Sequence, residues 1–289
     1  MRKILIMFTA ICICLFIAVN TGPALAAGNS NEHADIKVDN TGKGYIEIKV
    51  TKATDKQLRA KVTKGDKSLS YVLSDNKNYH KIPFQLGSGT YNVKVMENAS
   101  GNKYAVLPSA DIPATISDPL APFTISHTLV NYEAAPRTVA AAKQLTTGSA
   151  NDLQKLEKVY ANIVSTFSYD HNFAAKVTSG EITAYVPNVD AVYANKKGIC
   201  FDYSSVMASM LRSQGVPTKL VMGYVAPKNV YHAWNEVYIT NKGWVKVRGD
   251  IEVGSNIWTR MDATFASSGA SDLSAFIGDG TNYKVTEYY

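Results

Sequence analysis

Cysteine is almost missing from this chain. Three occur in 289 residues, and two of them, Cys12 and Cys14, sit in an apolar N-terminal run. That run, Ile4 to Val19, follows Arg2 and Lys3 and leads to Gly22-Pro23 and then Ala24-Leu25-Ala26-Ala27. A basic start, an apolar middle and a small-residue exit form the layout of a secretory signal, with cleavage expected after Ala26. The run is short for a bilayer span of ~20 residues, so no permanent membrane anchor is expected. Neither Cys12 nor Cys14 follows a lipoprotein-type box. The expected mature chain is secreted or held at the cell surface. It keeps Cys200 alone, so an internal disulfide is excluded.

Other absences narrow the class further. No dense run of Lys or Arg occurs, and the net charge of +6 falls to about +4 once Arg2 and Lys3 are removed. A nucleic-acid-binding arm is not expected. The five histidines are scattered, and with one mature cysteine they do not make a zinc spacing. No metal and no cofactor is expected.

What remains is organised in two parts. From about residue 36 to 116 the hydrophobic period is two, as in Tyr45-Ile46-Glu47-Ile48-Lys49-Val50 and Tyr91-Asn92-Val93-Lys94-Val95. Ser68 to Leu73 and His80 to Leu86 are further short candidates. Gly-rich turns such as Gly87-Ser88-Gly89 separate them. Short strands at this spacing predict an antiparallel, immunoglobulin-sized β-sandwich. Asp118-Pro119-Leu120-Ala121-Pro122 breaks the pattern. Helical spacing follows: Leu153, Leu156, Tyr160, Ile163, Val164 and Phe167 recur on one face, behind a helix start at Ser149 to Asp152. A second helix is predicted from Cys200 to the Gly215-Val216-Pro217 stop, then strands over Lys219 to Val225, Tyr231 to Ile239 and Trp244 to Val247. The expected layout is a signal peptide over 1–26, a loose start over 27–34, a β-sandwich over 35–117, a linker over 118–136 and an α+β domain over 137–289.

Cys200 stands where that second helix begins. Helix N-termini expose unpaired amides and the positive end of the dipole, and both favour the thiolate. The same amides could hold an oxyanion. Asp202, two residues on, opposes a thiolate if it points at the sulfur; helix starts also carry acids for their own sake. His232, Trp234 and Glu236 would share one strand face. Asp262 lies in Trp258-Thr259-Arg260-Met261-Asp262-Ala263-Thr264. A nucleophile on a helix, a base on a strand and an acid to orient that base follow the logic of a triad. Singly, each residue has a plainer reading: a core cysteine, a structural histidine, a turn aspartate.

Together the segments resemble the transglutaminase-like superfamily, within the papain-like Cys-His-Asp enzymes. Gly198-Ile199-Cys200-Phe201-Asp202-Tyr203-Ser204 is similar to its nucleophile block, and Leu211 to Tyr224 to the helix-to-strand passage that follows. His232-Ala233-Trp234-Asn235-Glu236-Val237 is similar to its histidine block. Trp258 with Met261-Asp262-Ala263-Thr264 is similar to its aspartate block, with Ala263 where proline is common. The order is kept, with gaps of 32 and 30 residues, and the resemblance covers roughly Leu153 to Phe265. It implies a nucleophile helix packed on an antiparallel sheet, with Cys200, His232 and Asp262 as the catalytic residues. It also implies a protein or peptide substrate and a thioester formed at an amide carbonyl. The thioester is resolved by an amine or by water; protease, amidase and catalytically silent surface-binding readings stay open. Calcium, used by the animal enzymes, is not carried over, because no EF-hand-like or dense acidic loop is present.

Tyr185 and Tyr193 precede the nucleophile and are candidates for an upstream oxyanion donor. Asp170-His171 reads as the end of a helix covering Ser168-Tyr169, with the histidine near the helix C-terminus. Arg248-Gly249-Asp250 reads as a chance tripeptide. Asn98-Ala99-Ser100 is a glycosylation sequon at a turn.

Overall fold

The computed structural model describes residues 24–25, 32–75, 77–226, 229–246 and 283–289. The signal segment up to residue 23, the Pro227-Lys228 tip, Arg248-Gly249-Asp250 and the whole aspartate block with Asp262 lie outside the described residues.

The N-terminal part is built of strands, as its period of two demands. One sheet holds β4 (Leu58–Lys64), β5 (Lys67–Leu73), β7 (Gly89–Ser100) and β8 (Lys103–Ala114), with β1 (Ala24–Leu25) parallel along β8, in the order β1-β8-β7-β4-β5. The other holds β2 (Ala34–Lys37), β3 (Tyr45–Val50) and β6 (His80–Pro83), in the order β2-β3-β6. Alternate residues Ile46, Ile48 and Val50 of β3 are buried, as are Ala60 and Val62 of β4 and Val93 and Val95 of β7. Their outward neighbours are polar, so each strand hides one face.

Residues 118–136 are packed rather than free. Phe123, His127, Leu129 and Val130 are buried, and a bridge joins His127 to Val130.

Helices follow: α1 (Pro136–Thr146), α2 (Asp152–Thr166), α3 (His171–Thr178), α4 (Val189–Asn195) and α5 (Cys200–Ser213). Asn151 caps α2 by accepting from Gln154 N–H at 3.0 Å, and Gln154 Oε1 accepts from Ala150 N–H at 2.8 Å. Residues Asp202 to Arg212 of α5 are all buried, as expected of a helix enclosed on every side. Its cover is an antiparallel sheet of order β13-β12-β11-β14: β11 (Thr218–Val225), β12 (Val230–Ile239), β13 (Gly243–Lys246) and β14 (Tyr283–Tyr288). The molecule is thus a mixed α/β structure with antiparallel sheets and a β-rich N-terminal region. Among the described residues no helix is long and apolar enough to cross a membrane.

One expectation is overturned. Ser168–Tyr169 is a two-residue strand (β9) lying parallel to Lys197–Gly198 (β10), not a helix. Asp170 then opens α3, accepting from Phe173 N–H at 3.0 Å. His171 is therefore the first residue of a helix, because the aspartate before it acts as an N-cap.

Candidate active site

Cys200 is the first residue of α5 and is half-buried. Two devices deliver the chain to it. The pairing of β9 with β10 fixes the incoming backbone, reinforced by Asp170 N–H to Gly198 O at 2.8 Å. The first helical bond is Tyr203 N–H to Ile199 O at 3.1 Å, so the amides of Cys200, Phe201 and Asp202 stay outside the helical ladder.

Asp202 does not oppose that end as a free charge. Its Oδ2 accepts from Ile199 N–H at 2.8 Å, and its Oδ1 accepts from the Tyr185 hydroxyl. It is 1% exposed. Burial pushes its carboxyl up to about 6, against the two hydrogen bonds that pull it down. Gly198 is needed for this arrangement: a Cβ there would stand 2.5 Å from Asp202 Cβ. The Tyr185 hydroxyl is committed to Asp202 rather than turned to an oxyanion, and burial holds its phenol well above the ordinary range. Tyr193 lies elsewhere, with Lys196 Nζ 3.0 Å from its ring centroid.

His232 is buried near the start of β12, paired with Gly223 of β11. Helix and strand are tied by Asn235 Nδ2, which donates to Ser204 O at 3.0 Å and to Lys219 O at 3.1 Å. Cys200 is one turn before Ser204, and His232 is three positions before Asn235, so both positions fall at the same end of the helix–strand pair. Alternation sets Tyr231, Ala233, Asn235 and Val237 toward α5. His232, Trp234 and Glu236 occupy the other face, where the His232 and Trp234 rings lie 6.4 Å apart at 19°. On that face Glu236 Oε2 holds Lys219 Nζ at 3.2 Å, and the same ammonium stands 4.0 Å from the Trp244 ring centroid. Glu236 therefore has a structural employment of its own.

Beside His232, Gly223 is another position with no room for a Cβ. A Cβ there would meet Lys284 O at 2.1 Å. The register between β11 and β14 shifts at Met222/Gly223, directly across from His232. Bulges of this kind re-aim side chains beside functional sites.

A half-buried cysteine opening a buried helix, laid on an antiparallel sheet that carries a histidine, defines a papain-like α+β fold. Residues 139–248 match the model of the transglutaminase-like superfamily, so this part of the chain is similar to that superfamily's core. "Uncharacterized protein YebA" of Bacillus subtilis (strain 168) is 33% identical over 70 residues, covering 19% of this chain and 10% of that protein. The chain thus spans about a tenth of the length of the curated relative it matches. Among solved structures, a Cytophaga hutchinsonii protein described as a candidate cysteine protease overlaps with a TM-score of 0.39 at 14% identity, over 82% of this chain and 80% of that one. A transglutaminase of red sea bream overlaps with a TM-score of 0.28 at 10% identity, over 78% and 48%. Fold is shared more widely than activity, so these overlaps carry no activity to this chain.

Proposed function

We propose that this chain is an exported cysteine enzyme that acts on amide bonds through a thioester. Cys200 is its nucleophile, His232 its base and Asp262 the group that orients the base. The observation that carries the reading is the position of Cys200 at the first turn of α5, with amides outside the helical ladder and with His232 at the same end of the neighbouring strand β12. The match of residues 139–248 to the superfamily model supports it.

In the proposed cycle the Cys200 thiolate adds to the carbonyl carbon of a glutamine carboxamide. The oxyanion is held by amides at the α5 start. The C–N bond breaks, and ammonia leaves with a proton from the His232 imidazolium. A primary amine then attacks the thioester. The C–S bond breaks, His232 takes the amine proton, and the thiolate is restored.

The test is incubation of the full chain with a glutamine-rich protein and a labelled primary amine, beside Cys200→Ala. Label should enter the protein, and Cys200→Ala should lower the rate by roughly a thousandfold. Ammonia released without label would replace transfer by hydrolysis. New N-termini would replace it by proteolysis. None of these products, together with a Cys200 thiol that alkylates like a free one, would overturn the enzyme reading.

A further inference from the structure

We propose that Asp202 is the positioning residue of Cys200: its carboxyl, tied to Ile199 N–H and to the Tyr185 hydroxyl, fixes the peptide entering the nucleophile and sets the pH at which the thiol reacts. The inference rests on the nucleophile reading of Cys200.

Three observations converge on it. First, Asp202 is bonded at both oxygens, to the backbone one residue before Cys200 and to a side chain 17 residues upstream. It thereby joins the α5 start to the loop that carries Tyr185. Second, Gly198 leaves the carboxyl the space a Cβ would fill. Third, the site is almost closed to solvent, so the charge it carries is weakly screened. The loop is itself propped by rings: Phe173 of α3 meets Tyr185 edge-to-face at 4.8 Å, and Tyr185 meets Phe201 at 6.3 Å.

The charged and titratable groups around Asp202 are few. Cys200 is on its own helix, Tyr185 comes from the upstream loop, and Asp170 caps α3 with Lys197 Nζ at 3.3 Å. Asp170 adds to the burial that raises the Asp202 carboxyl. When Asp202 is ionised, its charge two residues after Cys200 disfavours the thiolate, and the Tyr185 hydroxyl tempers that charge. When Asp202 is protonated, the opposition is gone and the bond to Tyr185 can reverse its direction. A plain structural cap would hold the helix without moving the reactivity of the sulfur.

The experiment follows iodoacetamide alkylation at the Cys200 peptide against pH, in the folded full-length chain. Asp202→Asn keeps an acceptor for Ile199 N–H and removes the charge. Its profile should move toward lower pH by at least half a pH unit, about threefold in thiolate fraction. Tyr185→Phe keeps the charge and removes the donor, and its profile should move the opposite way. Should Asp202→Asn fail to fold, Tyr185→Phe decides alone. Profiles superimposable on the wild type in folded variants overturn the proposal. A His232→Ala control separates the two ideas. If it alkylates as the wild type does, the cysteine–histidine reading fails, while the effects of Asp202 and Tyr185 are still read on the same peptide.

Discussion

Single residues here often sit in environments opposite to what their type prefers. His127 is buried, its Nδ1 accepting from Leu129 N–H at 3.3 Å and its ring edge-on to Tyr71 at 5.3 Å. Burial, and then the Arg212 charge, hold its imidazole well below the ordinary value. A base depressed by folding stabilises the fold fully above its unfolded value, near 6.5, and the stability is lost as pH falls below it. The urea midpoint should therefore drop as pH is lowered from about 6.5, and His127→Gln should flatten that slope. None of this was legible in the sequence, where Ser126-His127-Thr128 looks like an ordinary linker fragment. Cys200 was legible because a single cysteine met a helix-start pattern. The helix-start role of Asp202 was legible, and its hydrogen bond to a tyrosine from another loop was not. The tyrosine itself was named for an oxyanion and is used for a carboxyl.

At the scale of elements, strong local periodicity was enough. The apolar face of α5, the strands β11 and β12, and the Asn151 cap of α2 were all written in consecutive residues. α1 was not, because Pro136 to Thr146 carries a weak apolar stripe. α3 buries none of its residues, and α4 has only seven. β14 was invisible for a different reason. Its partner β11 lies some sixty residues upstream, and no local pattern records a pairing at that distance. Gly223 shows what holds that pairing. Gly223→Ala would drive a Cβ into Lys284 O, so β14 should part from β11 at a cost of roughly 2–4 kcal/mol. Amide exchange would register it: protection should fall along Tyr283 to Tyr288 and leave the sandwich strands unchanged. Equal protection in the variant would show that the bulge absorbs the methyl.

The whole molecule is joined by a buried cation. Arg212 donates to Thr218 O at 2.9 Å, Ile125 O at 2.7 Å and Tyr289 O at 2.8 Å. Burial lowers its guanidinium to about 10. Removing it would take a donor from all three oxygens, of which Tyr289 O keeps Leu220 N–H, so Arg212→Ala should lose about 3 kcal/mol in urea unfolding. Arg212→Lys should recover only part, because one ammonium cannot reproduce a planar fork. A change below about 1 kcal/mol in Arg212→Ala would mean that water reaches the joint. Tyr289 completes it: its backbone exchanges two 2.7 Å bonds with Leu220, and its hydroxyl donates to Ser70 O at 3.1 Å. The sequence announced two regions by their different periods, but gave no hint that Tyr289 stitches one to the other. That stitch has a kinetic consequence. Ser70 and Tyr289 are 219 positions apart, so the loop they close is among the costliest in chain entropy. During synthesis, the sheet that carries His232 waits for residues that leave the ribosome more than forty positions after it. The β11 edge of that sheet can therefore be covered by β14 only after those residues have been made.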